Sequence, residues 1–415
     1  MWRRRFLFWV IPAALAAGCI QAQAARPEGA STEVDEILAE LSKISGLKPL
    51  AKVDCDHIAR DRVRDFLDQR VQEEIKPEEI RAEEAALKKF GLVPQDFDLR
   101  KATLDLLSEQ AAAFYDYRKK KLFVIESGGD PVQHSVLVHE LAHALADQHF
   151  HLEKYMDRGN KNDDGATARL AVMEGQATWL MSEDLTRRTG QSLRDSPVLV
   201  KLMNNLSEAS AAQFPVYQHA PLYLRETLLF PYTQGMLFQH ALIEKMGQAA
   251  FTEVFRRPPE STQQILHPEK YLARVKPVRP SLPEFKTERD YRTLTDGEVG
   301  ELDHAILLRQ YAGEKESAAV APEWRGGYFR LFESKTGQRT VLVYASEWSG
   351  PEAARRCFKL YQKVLAGKWK TFQADSRGDG VLAGRGDDGY FLLRLDGARV
   401  TSVEGLESPE EALQR

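Results

Sequence analysis

Cysteine is scarce in this chain: Cys19, Cys55 and Cys357 are the only three among 415 residues. With Cys19 removed or lipidated, the two that remain stand far apart in sequence. An oxidising compartment would permit them to pair, but two independent buried thiols are the expectation. Positive charge is just as dispersed. The formal charge is −4, it becomes more negative without Arg3, Arg4 and Arg5, and no basic cluster forms a nucleic-acid footprint, so nucleic acid is excluded as a partner. No comfortable membrane span is present either, because the apolar run Phe6 to Ala17 is short and Pro12 interrupts it. A long internal repeat and a low-complexity tract are also lacking. What is there, 43% hydrophobic and 28% charged residues, is the composition of an ordinary soluble globular protein long enough for two or three domains.

The short apolar run at the start has another use. Arg3 to Arg5 form a positive n-region, Phe6 to Ala17 an apolar h-region, and small residues come next, so residues 1–24 read as an export signal. Ala16-Ala17-Gly18-Cys19 resembles a lipobox; cleavage before Cys19 would leave a lipid there and attach the protein to a membrane. Ala22-Gln23-Ala24 offers an ordinary signal-peptidase site instead, and Arg3-Arg4-Arg5-Phe6-Leu7 faintly resembles a twin-arginine signal. The lipoprotein route is preferred. By any route the expected location is outside the cytoplasm, in the periplasm or cell envelope.

The chain after the leader is strongly helical. Ser31 or Thr32 can cap a helix through Leu41, and Asp56 to Ile75 carries Ile58, Val63, Phe66, Leu67 and Val71 at helical spacing. Pro77 opens a helix that closes near Gly91, with Lys88 and Lys89 at its negative end, and Leu99 to Ala113 is amphipathic. Residues 31–113 thus read as a helical region packed on the unit that begins at residue 114. Tyr115 to Tyr117 resemble a turn, and Leu122 to Ile125 a short strand. Ala166 to Arg187 is helical, and Pro231 opens a helix to Met246. Ser261 to Gln264 reads as a capping box, the Pro-rich stretch 276–284 as a surface strap, and Asp296 to Tyr311 as a further helix. From Trp324 the pattern alternates: Tyr328 to Phe332 and Thr340 to Tyr344 read as strands, Pro351 to Leu365 as a helix, and Tyr390 to Leu395 and Ala398 to Val403 as a hairpin. The expected fold is α+β, with a mostly helical unit at 114–312 holding a small sheet, and a small C-terminal α+β domain at 324–415.

The chemistry sits in Asp130 to Gln148. Asp130 can cap the helix, Pro131 fits its first position, and Gln133 sits where a capping box reaches back. Within it lie His139, Glu140 and His143. Histidines four apart stand one turn above each other, so both imidazoles can face one ion, and Glu140 can present its carboxylate to a water on that ion. This is the H-E-x-x-H arrangement. Leu137, Val138, Leu141, Ala142, Ala144 and Leu145 make the helix apolar on most sides, as a buried helix requires.

A third ligand is needed. His149 matches the spacing of the last histidine in H-E-x-x-H-x-x-G-x-x-H, but Ala146 replaces the glycine. On an unbroken helix His149 would lie about 9 Å beyond His143 and be turned about 120° away. Glu174 is preferred. It stands among apolar neighbours, where a buried carboxylate needs a partner, and Gly175 and Ala177 let its helix approach closely.

With these residues the chain resembles the gluzincins, zinc peptidases with two helix histidines and a glutamate from a following helix. More narrowly it is similar to exported bacterial zincin-like peptidases. FYDYRKKKLFV, HELAHALADQHF, MEGQATW, FPYTQGMLF and STQQILHPEKY carry the resemblance across residues 114–271, with a weaker likeness in the C-terminal unit. Thirty residues separate His143 from Glu174, a longer gap than in the thermolysin-like pattern. The resemblance implies a Zn²⁺ cofactor held by His139, His143 and Glu174, Glu140 as general base, and a peptide or protein substrate. It also implies Tyr232 as the donor to the developing oxyanion, with His240 and His267 as alternatives. Asp147 is a candidate to orient a ligand histidine, a solvated helix end being its rival, and strand 121–126 a candidate edge for the substrate backbone. A non-catalytic zinc-containing binding or scaffold protein is the alternative.

Overall fold

The computed structural model describes residues 30–126, 134–159, 162–337 and 339–412. The expected export signal with Cys19 and the expected capping residues Asp130, Pro131 and Gln133 lie outside the described residues. The fold is α+β, with a small three-stranded sheet and a larger seven-stranded antiparallel one.

The first part contains helix α1 (Ala30–Ser45), strand β1 (Asp54–Ala59), helices α2 (Val63–Glu74), α3 (Pro77–Phe90) and α4 (Leu99–Gln110), and strands β2 (Ala113–Asp116) and β3 (Lys121–Glu126). Helices α5 (His134–Phe150), α6 (Asp163–Arg187), α7 (Pro197–Ala211) and α8 (Leu222–Met246) come next. The second part contains β4 (Tyr291–Glu298), α9 (Glu301–Ala312), β5 (Trp324–Ser334), β6 (Thr340–Trp348), α10 (Pro351–Lys368), β7 (Phe372–Gly378), β8 (Val381–Gly386), β9 (Gly389–Asp396) and β10 (Arg399–Leu406). Shorter helical segments lie between these elements. Among the described residues no helix is long and apolar enough to cross a membrane.

Several local expectations are corrected. Asp54–Ala59 is not helical; it pairs in parallel with β3, residue for residue from Asp54 opposite Lys121 to Ala59 opposite Glu126. The 31–113 region therefore supplies a strand to the same sheet as 114–126. Tyr115 lies in strand β2, antiparallel to β3, and not in a turn. The order β1-β3-β2 makes β3 the central strand, so 121–126 has no free edge for a substrate; β2 has one. Pro231 does not open a helix but lies inside α8, which begins at Leu222. A proline there omits one helix hydrogen bond, in the turn that carries Tyr232. Residues from Asp296 are divided between β4 and α9, so the C-terminal sheet starts some thirty residues before Trp324. Strand β7, mostly polar, and the glycine-containing β8 extend it at the far edge.

Helix α5 is buried along its whole middle, from Val136 to Asp147, as its all-round apolar sequence demands. It lies against the β2–β3 sheet on one side and against α1 and α6 on others. Asn162 caps α6, its side chain accepting from Gly165 N at 2.8 Å. Cys55 and Cys357 are separate thiols, the first part-buried and the second buried.

The C-terminal sheet docks on α3. Phe90 meets Phe329 and Tyr344 edge-on at 5.3 and 5.8 Å, and Arg81 forms a two-pronged pair with Glu333 at 2.7 and 3.2 Å. Arg81 and Arg292 together hold the Glu333 carboxyl down at about 2. Gly91 ends α3 with φ 78°, and a Cβ there would stand 2.6 Å from the Tyr311 hydroxyl, so glycine is required twice over.

His304 on α9 is sealed in this junction, 1% exposed. Its Nδ1 donates to Gly300 O at 2.7 Å, its Nε2 faces the Tyr344 hydroxyl, and its ring stands edge-on to Trp348. Burial pushes its pKa down to about 4. The unfolded chain, with a histidine near 6.5, therefore takes the proton first as pH falls. Stability from this group is complete above about pH 6.5 and declines by about 1.4 kcal/mol per pH unit down to about pH 4. Urea unfolding at pH 7 and pH 5 should show the advantage of the native chain over His304→Gln shrinking by roughly 2 kcal/mol across that interval. An equal advantage at both values would refute it.

Candidate functional site

The residues singled out from the sequence converge where α5, α6 and α8 meet. His139 and His143, one turn apart on α5, have ring centroids 4.8 Å apart. Their Nε2 atoms stand 3.1 Å from each other, and Glu174 Oε2 of α6 lies 3.1 Å from His139 Nε2 and 3.3 Å from His143 Nε2. One ligand atom from each lies within 4.8 Å of the others, and this is the one such group among the described residues. All three are buried, as is Glu140.

Gly175 brings Glu174 this close. A Cβ at Gly175 would be 2.1 Å from the carbonyl carbon of Gly235 on α8, and one at Gly235 would be 2.2 Å from Ala171 O on α6. The two helices therefore touch backbone to backbone, one residue from Glu174 and one turn from Tyr232.

Electrostatics follow from this dry convergence. Burial, with His143 adding to it, lowers the pKa of His139. Burial also pulls on His143, but the charge and hydrogen bond of Glu174, with Glu140 and Asp147 behind, outweigh it and raise its pKa. Burial alone would raise Glu174; the charge of His143 and hydrogen bonds from both histidines overcome this and hold its carboxyl at about 2. Two ring nitrogens and a carboxylate oxygen aimed at one point form the N, N, O donor set suited to Zn²⁺, so the residues fit that ion.

Glu140 stands beside this group, its charge felt by His143 and Tyr232. Its Oε2 accepts the backbone N–H of Tyr115 on β2 at 2.7 Å, which fixes the carboxylate against the sheet edge. Tyr232 is fully buried, with its ring 6.0 Å from that of His139 at 26°. Burial, then the charges of Glu174 and Glu140, push its phenol well above the usual range, so it is a protonated donor beside both carboxylates.

The other candidates go elsewhere. His149 turns out of the site, its Nε2 2.8 Å from Lys48 O, on a helix that runs unbroken past Ala146. His240 accepts from Trp179 Nε1 at 3.3 Å, and His267 pairs with Glu301 at 2.8 Å. Asp147 neither orients a ligand histidine nor ends in solvent. It is buried, takes hydrogen bonds from Tyr115 Oη and Lys120 Nζ at 3.0 and 2.6 Å, and caps Leu152 N at 3.0 Å. His139 Nδ1 makes no hydrogen bond among the described residues.

Sequence reading missed two tyrosines. Tyr115 ties the site to the sheet through its N–H to Glu140 and its hydroxyl to Asp147. Tyr117 is buried near Glu174, whose charge is second only to burial in raising the phenol. The signal was the run Phe114-Tyr115-Asp116-Tyr117, hidden by its likeness to a turn.

In comparisons with known proteins, residues 289–415 match a family described as a domain of unknown function (DUF8575). The matched segment begins just before β4, at the start of the C-terminal sheet, and does not include His139, His143 or Glu174. No curated protein and no solved structure matches the chain.

Proposed function

We propose that this protein is a zinc-dependent metallopeptidase of the gluzincin type, exported and acting on peptide or protein substrates. The observation that carries the reading is the buried convergence of His139, His143 and Glu174 beside a carboxylate, Glu140, held apart from them on the same helix. His139, His143 and Glu174 would hold the ion, which when bound polarises a water and lowers its pKa toward neutrality.

The remaining work falls to the chain. Glu140 takes the proton from the water that attacks the peptide carbonyl and passes it to the departing amine. The Tyr115 N–H fixes the direction of that carboxylate. Tyr232, kept protonated by burial and by Glu174 and Glu140, donates to the carbonyl oxygen as it gains charge. The outer edge of β2, and not 121–126, is where a substrate backbone adds as a strand, beside the Tyr115 N–H that Glu140 occupies.

Burial of all four groups also favours a second reading, a zinc held structurally in a binding or scaffold protein. Metal analysis comes first for both. The purified chain should hold about one zinc, and His139→Ala, His143→Ala and Glu174→Ala should each lose most of it, while His149→Ala keeps it. Zinc retained in Glu174→Ala and lost in His149→Ala would replace the gluzincin assignment by the metzincin one.

A further inference from the structure

Past the last turn of α5 the surface folds inward to form a pocket separate from the metal-ligand group. Lys154, Arg158, Arg169 and Arg256 line it, against an aromatic wall that includes Tyr155 and Phe255. No carboxylate is among its described lining residues. Three nearby acids are ion-paired to other cations: Glu153 with Arg118 at 3.3 Å, Glu253 with Arg257 at 2.8 Å and Glu260, whose charge also reaches Arg169, with Lys276 at 3.5 Å. No ion pair ties any of the four cations to a carboxylate among the described residues.

The pocket is built, not a chance meeting of long side chains. Arg169 comes from α6, Arg256 from the short helix Ala250–Arg256, and Lys154 from the helix Leu152–Asp157, with Arg158 at its end. Arg169 is fixed: its Nη1 donates to Tyr155 O at 3.1 Å and its guanidinium lies 4.9 Å over the Tyr155 ring. Gly159 makes room for its stem, since a Cβ there would stand 2.5 Å from Arg169 Cδ. Burial, with Arg158 adding to it, pulls the Arg169 pKa down, against the smaller opposing pull of Tyr155 and Glu260. The aromatic wall is rigid, with Tyr155 edge-on to Phe255 at 5.1 Å.

We propose that this pocket binds a phosphate monoester, its dianionic head held by the four cations and its organic group laid on the aromatic wall. Planar guanidinium forks match phosphate oxygens two at a time. A volume of about 640 Å³ admits a phosphate together with the group that carries it. The same headgroup chemistry occurs in a free ester and in an anionic lipid, and the test separates them.

Calorimetric titration with glycerol 1-phosphate, and flotation with phosphatidylcholine vesicles with and without phosphatidic acid, are run on the native protein and on Lys154→Glu/Arg256→Glu. Both side chains are exposed, so the variant keeps its fold; circular dichroism and zinc content verify this. Binding that weakens as salt is added and falls at least about tenfold in the variant supports the site. If it occurs with the free ester the source is soluble; if only with phosphatidic acid vesicles, the source is a lipid headgroup. No binding in either arm, or binding that the variant retains in full, overturns the proposal.

Discussion

Glu140→Gln is expected to keep its zinc and lose its hydrolytic rate. Glu140 is not among the three groups whose ligand atoms converge; its Oε2 is turned to the Tyr115 N–H, which an amide oxygen can accept equally well. The substitution is nearly isosteric and removes only the capacity to carry a proton. General-base catalysis is worth about 10²–10⁴ in rate, so hydrolysis of an unstructured protein such as casein should fall by that order with zinc content and unfolding unchanged. Tyr232→Phe, which removes one donor to the oxyanion, should cause a smaller loss with the metal again retained. A Glu140→Gln variant as fast as the native protein would falsify the proposed chemistry. A zinc-loaded native protein inert toward every peptide library would favour the scaffold reading.

The second large effect lies outside the candidate metal site. Glu404→Ala should destabilise the protein by about 3–5 kcal/mol, because it leaves a buried cation alone. Glu404 on β10 is fully buried and accepts from Tyr361 Oη at 2.9 Å and Ser402 Oγ at 2.8 Å. Its other oxygen is paired with Lys368 Nζ, itself sealed, which also donates to Lys89 O at 2.9 Å. Lys89 in turn reaches Thr340 O at 3.0 Å. The network thus joins α3, α10 and the sheet, and the Lys368 ammonium has no other carboxylate partner among the described residues. Equilibrium urea unfolding measures the loss. Glu404→Leu/Lys368→Met, which removes both charges, should recover a good part of it; a loss below about 1 kcal/mol in the single variant would mean the pair is not dry.

What could be read from the chain was what is local. His139, Glu140 and His143 are set by one helix, and Glu174 declares itself by being a carboxylate in an apolar helix with Gly175 after it. Elements defined by distant partners were not legible. Residues Asp54–Ala59 carry an apolar spacing that continues into α2, and only pairing with β3, across more than sixty residues, makes them a strand. Which strand of the small sheet is the edge depends on β1 and so could not be read from 113–126. Pro231 looks like a first helical residue because the sequence does not show that α8 already exists above it. The start of the C-terminal sheet was hidden because β4 is a half-buried edge strand, without a clean apolar alternation, that pairs with β5.

The contact between Gly175 and Gly235 fixes more than a distance. Two helices separated by side chains can roll on one another as those side chains change rotamer; two that touch through their backbones cannot. The contact acts as a key in a slot and sets the rotational phase of both helices at once. Glu174 and Tyr232 therefore face His139 from angles set by residues that carry no chemistry. A single methyl group at either glycine would turn the carboxylate and the phenol away together, disarming the candidate site while every residue proposed to act in it remains in the sequence.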